Sequence, residues 1–321
     1  MNFEKKLPII EKTKIWLSIS LILIAVAVGS ILIRGLNYGI DFVGGTIITI
    51  DLHQTFDTKD IKSITDAYDK SADITYSGNQ KHEVVISTKE SLSNSQQKKL
   101  FASFKKKYNL KNKDLVSVDN ITASVGAETT RNTIIASIVA VVLMLVYVTI
   151  RFEFYFGLSA VLALVHDIVI VIGVYALFQI QVNSPFIAAI LTILGYSIND
   201  TIVVFDRIRE NEGLIGMSNE QELTHLVDVS VTQTMRRSIN TVATTLVAII
   251  ALYIFAVDAI RDFALPLIVG IACGCYSSIF VASPLWVIFQ KKSSKSKFNA
   301  KIQRNSRRGQ RNRRKAEKIE V

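Results

Sequence analysis

Asp200 is the residue of this 321-residue chain whose setting asks most plainly for chemistry. It is the single charge in residues 184–205, and holding a carboxylate at bilayer depth costs a few kcal/mol even on lenient insertion scales. Read as a helix, the run places Asp200 about 24 Å from Ser184 and about 9 Å from Asp206, in its inner half. The surrounding Gly195-Tyr196-Ser197-Ile198-Asn199-Asp200-Thr201 is too polar for a lipid-facing helix, and Ser197 shares the carboxyl's face at i−3. A carboxyl poised between a neutral form, favoured by apolar walls, and an anion, favoured by an approaching cation, can load and release a proton. The plainer reading is a structural Asp that hydrogen-bonds two helices together.

Two further groups of residues bear on that chemistry. His166 and Asp167 are adjacent in the apolar run 155–178, about 18 Å along it. A histidine titrates near neutral pH, so the pair suits a proton relay as well as a helix-packing hydrogen bond. Arg237, Thr241 and Thr244 follow at i, i+4 and i+7 at the start of another apolar run, flanked by Asn240 and Thr245. Such a stripe faces protein or water rather than lipid. Arg237 is placed to swing toward Asp200 and hold it ionised; the alternative is an interfacial anchor, which suffices for Arg236. No phosphate-binding loop, metal-ligand cluster or nucleophile elbow is present in the sequence. We therefore expect no metal, no cofactor and no enzymatic chemistry. An ion falling through about 150 mV releases roughly 3.5 kcal/mol per charge, enough to drive a conformational cycle.

The elements that must position these residues are membrane helices. Half the residues are hydrophobic and mean hydropathy is +0.34, concentrated in long uncharged runs. That excludes a soluble enzyme, a disordered regulator and a disulfide-stapled secreted domain. Six spans are expected, over residues 15–33, 132–150, 155–178, 184–205, 238–257 and 263–290. The first is too long for a signal peptide's apolar core, and no small-residue cleavage site follows Arg34. Lys5, Lys6, Lys12, Lys14, Arg151, Arg207, Arg209, Arg236 and Arg237 fall on one side of the spans; the short segments opposite hold only Arg261, and Arg34 at the end of the first span is a minor exception. Both termini are expected in the cytoplasm.

The long segment 35–131 is then extracytoplasmic. Residues 46–52, 74–76, 83–87 and 115–125 read as strands, the middle two joined at a Gly78-Asn79 turn, and residues 58–70 and 95–108 have helical spacing. The β-α-β-β-α-β order predicts a ferredoxin-like domain. Its charges nearly cancel, 13 basic against 12 acidic, and it suits a binding or mechanical role. The expected architecture is a polytopic α-helical membrane protein: cytoplasmic N-terminus and first helix (1–34), α+β domain (35–131), a five-helix bundle (132–290) and a cytoplasmic tail (291–321). That tail carries 13 Lys/Arg and 2 Asp/Glu, which exceeds the whole chain's net charge of +10. A solvated arm attracted to anionic lipid or to the ribosome fits it. Cys273 and Cys275, two apart in an apolar run, read as packing residues that form neither a disulfide nor a metal site with each other.

Four segments together resemble one family. They are Gly35-Leu-Asn-Tyr-Gly39-Ile-Asp41-Phe-Val-Gly44-Gly45-Thr46, Leu164-Val-His166-Asp167, the stretch from Gly195 through Asn199, Asp200, Asp206 and Arg207 to Glu210, and Arg237-Ser-Ile-Asn-Thr241-Val-Ala-Thr244-Thr245. They resemble the bacterial SecF family of protein-export membrane proteins over roughly residues 10–290. The resemblance implies a six-span half of a resistance-nodulation-division-type transporter completed by a SecD partner. It further implies assistance to the Sec translocon channel, pulling unfolded preproteins outward across the bacterial inner membrane at the expense of a proton or sodium gradient. The family's essential membrane Asp corresponds to Asp200, and its functional Arg best matches Arg237. The rival expectation is a gradient-driven exporter of small molecules or lipids using the same ion machinery. Such exporters usually carry larger external domains and twelve spans. A third reading is a passive scaffold.

Overall fold

The structure, a computed structural model, describes residues 7–77, 82–215 and 219–292. Helix α1 (Thr13–Arg34) is followed by a two-residue strand β1 (Asn37–Tyr38) and a one-turn helix α2 (Ile40–Val43). Then come β2 (Gly45–Asp51), α3 (Thr58–Thr65), β3 (Asp73–Ser77), β4 (Glu83–Thr88), α4 (Asn94–Tyr108) and β5 (Leu115–Ile121). Long helices α5 (Ala123–Arg151) and α6 (Phe154–Phe178) lead through a short β6 (Gln181–Val182) to α7 (Ser184–Ile215), α8 (Glu220–Phe255) and α9 (Asp258–Ser277). A π-helical turn, Ser278–Ala282, continues α9 into a helix that reaches residue 292. Six of these helices are long and apolar enough to cross a membrane, the number the sequence predicts.

Their ends differ from expectation where hydropathy alone sets them. The α5 helix begins at Ala123 rather than at residue 132, so β5 stops at Ile121 and not at residue 125. The α7 helix runs to Ile215 rather than 205, because Asp206–Arg209 and Arg207–Glu210 pairs at i, i+3 support a polar extension that still buries Ile208. The α8 helix begins at Glu220 rather than 238. The Asn219 side chain accepts hydrogen bonds from the Gln221 and Glu222 amides and so starts it. Its first turns bury Leu223, Leu226 and Val227. The expected Gly78-Asn79 turn and the tail from residue 293 lie outside the described residues.

The segment between α1 and α5 holds one antiparallel four-stranded sheet in the order β3-β4-β2-β5. The strands alternate, with Ile48, Ile50, Val84 and Ile86 inward, and these pack with Ile61, Leu100 and Phe104 of α3 and α4. Asp57 caps α3 through the Lys59 amide, and Gln96 accepts from the Ser93 amide at the start of α4. The predicted β-α-β-β-α-β order is present; α3 ends at Thr65, short of residue 70.

The helices pack through small residues, as membrane interfaces do. A Cβ on Gly173 of α6 would fall 2.2 Å from that of Ala27 in α1, and one on Gly270 of α9 would fall 2.3 Å from the Ile193 side chain of α7. At the Ile215 end of α7, Phe156 stacks on Trp286 and tilts against Phe205. Beside them Ile9 and Ile10 are buried, and both their amides donate to the Asp228 carboxylate of α8 at 3.0 and 2.7 Å. At the other end Tyr175, Phe186, Ile193 and Leu267 form a second apolar cluster. There β1 pairs in parallel with β6.

Candidate functional site

The Gly270–Gly274 face of α9 decides how closely α7 approaches. A Cβ on Gly274 would lie 3.1 Å from that of Ser197, so larger residues there would push the helices apart. Between them and α8 remains a cavity of about 20 Å³ lined by Tyr196, Ser197, Asn199, Asp200, Thr241, Val242, Ile271, Gly274 and Cys275. That is room for about one water. Asp200 Oδ2 is buried without a hydrogen-bond partner, and so is Ser238 Oγ of α8. Ser238 and Arg237 of α8 are the groups nearest this carboxyl in charge and hydrogen-bonding terms. No ion pair closes between Asp200 and Arg237 among the described residues.

Arg237 belongs to a second, larger space further along α7, about 230 Å³, which it lines with Val203, Asp206, Arg207, Glu210, Gln233 and Thr234. The other charges there are engaged. Asp206 is bonded to Arg209 and lies 3.6 Å from Arg151, while Arg207 donates to Gln233 and Glu210. Asn211 ties the same Gln233 to Ser230 of α8. Arg237 makes no ion pair among the described residues, so its guanidinium stands between this vestibule and Asp200.

Asp167 is the opposite case. It is 1% exposed and its carboxylate faces four donors from three helices. Ser197 of α7 and Ser277 of α9 each donate to Oδ2 at 2.7 Å. Cys273 of α9 donates to Oδ1 at 3.3 Å, and His166 Nδ1 lies 3.0 Å from the same oxygen. The ligand atoms of His166, Asp167 and Cys273 fall within 4.8 Å of one another, but their mutual hydrogen bonds already account for the grouping. His166 stacks against Tyr276, whose hydroxyl reaches Ser20 and Trp16 of α1. Asp167 thus ties three helices together, whereas Asp200 keeps one buried oxygen without a partner.

At the far end of α7, Asp41 Oδ2 accepts from the Ser184 amide at 2.8 Å. Gly44 and Gly45 follow with φ of 83° and 150°, where a side chain is strained.

Comparison with known proteins now decides the family. Residues 99–292 match the family model described as protein export membrane protein SecD/SecF, C-terminal, and residues 29–55 match the SecD/SecF GG motif. The protein translocase subunit SecF of Sebaldella termitidis is 38% identical over 308 residues, 93% of this chain and 97% of its own. The chain belongs to the SecF family. SecF of Haemophilus influenzae is 34% identical over 268 residues, 82% of this chain and 80% of its own. SecDF of Thermus thermophilus is 37% identical over 281 residues, which are 85% of this chain and 37% of that one. A crystal structure of SecDF, a translocon-associated membrane protein from that organism, matches with a TM-score of 0.76 at 34% identity. It covers 91% of this chain and 40% of its own.

Within this SecF-family chain the predicted residues divide into three places. Asp200, Asn199, Thr241 and, across the vestibule, Arg237, Asp206 and Arg207 gather around α7 and α8. His166 and Asp167 form a separate network reached through Ser197, whose hydroxyl goes to Asp167 rather than to Asp200 on its own face. Thr244 does not line the Asp200 cavity; its hydroxyl bonds back to the Asn240 and Thr241 carbonyls. Gly39, Asp41, Gly44 and Gly45 sit at the β1–β2 junction. Sequence reasoning missed Ser238, Cys273 and Ser277. The i, i+4 spacing of Cys273 and Ser277 on one face of α9 was a usable signal.

Proposed function

We propose that the chain is an auxiliary subunit of Sec protein export, in which Asp200 couples ion flow to a conformational cycle. In this reading Asp200 is alternately protonated from outside and deprotonated inward, and Arg237 senses its charge. The observation that carries it is the contrast between the two membrane carboxyls: Asp167 satisfied by four donors, Asp200 with one oxygen buried and unpartnered beside a cavity and an uncommitted arginine. Changing the charge of such a group against low-dielectric walls shifts helix packing by a few kcal/mol, within the roughly 3.5 kcal/mol that one ion supplies at about 150 mV.

The SecF and SecDF relatives support a role in protein transport, and nothing supports the small-molecule or lipid exporter. A SecD-like partner follows from the SecDF relative, of which this chain covers a little over a third. Exposed Tyr196, Asn199, Asn240 and Thr244 on α7 and α8 call for a protein neighbour at membrane depth. In the topology we favour, both termini are cytoplasmic, the ferredoxin-like sheet domain is outside, and unfolded preproteins emerging from the translocon channel meet that domain. No catalytic residue is assigned. Asp200→Asn tests the reading in vesicles holding the translocon and the SecD partner. Export stimulated by an imposed gradient drops to the gradient-free level while expression and assembly persist. Unimpaired stimulation refutes the coupling role. Varying pH and sodium independently in the same vesicles identifies the ion.

A further inference from the structure

The mechanism above moves helices, and residues 39–45, absorbed by no step so far, join those helices to the sheet domain. We infer that this segment is a rigid strut by which α7 moves the sheet domain, with Asp41 as the positioning residue at its joint. The inference rests on the coupling role of Asp200.

The strut is held at three places, and at each the chain comes too close for a side chain. At the α7 end the Gly39 amide donates to Val182 at 2.6 Å, and a Cβ on Gly39 would lie 2.9 Å from the same oxygen. Directly beyond, Asp41 Oδ2 accepts from the amide of Ser184, the first residue of α7. This joins the strut to an end whose amides carry partial positive charge. Asn183 completes that end by accepting from the Phe186 amide and donating to Asp262 at 2.6 Å. In the middle, a Cβ on Gly126 of α5 would lie 2.5 Å from the Phe42 carbonyl oxygen, so α2 is pressed against the helix that leaves the sheet. At the sheet end, Gly44 closes α2 by donating to Ile40 at 2.8 Å. A Cβ on Gly45 would lie 2.1 Å from the Thr88 oxygen of β4, and β2 begins at Gly45 itself. Lys89 adds a side-chain bond to Asn37 at 2.7 Å.

The close approaches at Gly39, Gly126 and Gly45 are made by backbone, and Asp41 adds one short hydrogen bond, so only the Lys89–Asn37 contact runs through a long side chain. Asp200 lies on the same helix as Ser184, about 24 Å away. A shift of α7 on neutralisation of Asp200 therefore reaches β2 through Asp41 with little loss.

The test measures amide hydrogen exchange of the full chain assembled with its SecD partner in vesicles. Asp200→Asn, compared with the unaltered protein, is expected to change protection both in α8 near Arg237 and in β2 and α2. Adding Asp41→Ala abolishes the β2 and α2 response but keeps the α8 response. Adding Asp41→Asn, whose amide oxygen still accepts from Ser184, restores the sheet response and shows that the variants fold. A sheet response that survives Asp41→Ala overturns the strut, as does loss of response in Asp41→Asn. A response in α8 without one in the sheet of the Asp200→Asn protein overturns the strut alone. No response in either place overturns the Asp200 reading and the strut with it.

Discussion

The two membrane carboxyls predict opposite costs for the same substitution. Asp→Asn keeps size and shape but replaces one acceptor oxygen by an NH₂ donor. At Asp167 four donors converge, two on each oxygen. Whichever way the substituted amide turns, two of them lose their acceptor. Turning its oxygen toward Ser197 and Ser277 sacrifices the thiol and imidazole contacts; the reverse sacrifices the serines. Interhelical hydrogen bonds in membrane proteins average about 0.6 kcal/mol and reach about 1.7, so Asp167→Asn costs roughly 1–3 kcal/mol. At Asp200 the unpartnered Oδ2 has no accepted bond to lose, and Asp200→Asn costs less than about 0.6 kcal/mol. Thermal unfolding of the purified chain in detergent reads both. At about 2–4 °C per kcal/mol, Asp167→Asn lowers the midpoint by roughly 2–12 °C and Asp200→Asn by under about 2 °C. Equal shifts, or a larger one at Asp200, would refute the assignment of one fixed and one exchangeable carboxyl.

Arg237→Gln removes a charge that makes no ion pair among the described residues, so stability stays within about 0.5 kcal/mol while gradient-stimulated export in vesicles falls to background; Arg237→Lys retains part of it. Gly270→Ala drives a methyl into the Ile193 side chain and costs about 1–3 kcal/mol. In an Ile193→Ala background, whose own cavity is costly, thermal unfolding shows Gly270→Ala adding little further loss, because the two residues share one contact. In the sheet domain, burial raises the Asp69 pKa, but hydrogen bonds from Ser71, Thr88 and Lys89 outweigh it and hold the carboxyl below its usual value. A lowered folded pKa gives stability that is present above about pH 4 and lost as pH falls through the folded value. Amide protection in β4 is therefore expected to drop in acid, and Asp69→Asn flattens that dependence.

How far the site was legible depends on whether its physics is local. Asp200 stood out because a carboxylate in an apolar run has no local explanation; that it lines a small cavity came only with the structure. The polar stripe of α8 was legible for the same reason at Arg237 and Thr241; Thr244 deceived because a threonine in a helix can spend its hydroxyl on its own backbone. The role of Asp167 was not legible. Its donors come from residues 197, 273 and 277, brought together by small-residue packing that no single helix encodes, and Ser197 pointed to the partner that periodicity did not suggest. Helix ends failed differently. Hydropathy marks where lipid begins, whereas α7 and α8 continue beyond it on ion pairs, an Asn cap and buried leucines. In the α8 sequence the Asn219–Glu222 cap was a signal available before the structure.

The helices are unequally held, and this says which of them move together. Within the chain the most apolar stretch of the span Ile260–Lys292, which α9 begins, is 56% buried, but that of α8 only 11%. The first turns of α8 are fixed: Leu223, Leu226, Val227 and Val231 are buried in the cluster around Trp286, and Asp228 holds the Ile9 and Ile10 amides. Past Ser238 the helix meets α7 across the Asp200 cavity, where Asp200 Oδ2 has no partner. One ion supplies roughly 3.5 kcal/mol at about 150 mV, too little to pull α9 from its packing but closer in size to the Val242, Leu246 and Ile249 contacts of the second half of α8. If Asp200 couples ion flow as proposed, the displacement expected is a bend or swing between α8 and the other helices about residues 237–240, with Arg237 at the pivot. In that reading α6, α7 and α9, cross-linked through the Asp167 network, are expected to shift as one body and to carry the strut at Ser184. A substitution that opens that network without touching Asp200, such as Ser277→Ala, is then expected to reduce gradient-stimulated export by loosening this body. An unchanged rate in Ser277→Ala vesicles would mean that the α6–α7–α9 packing is not what α8 moves against.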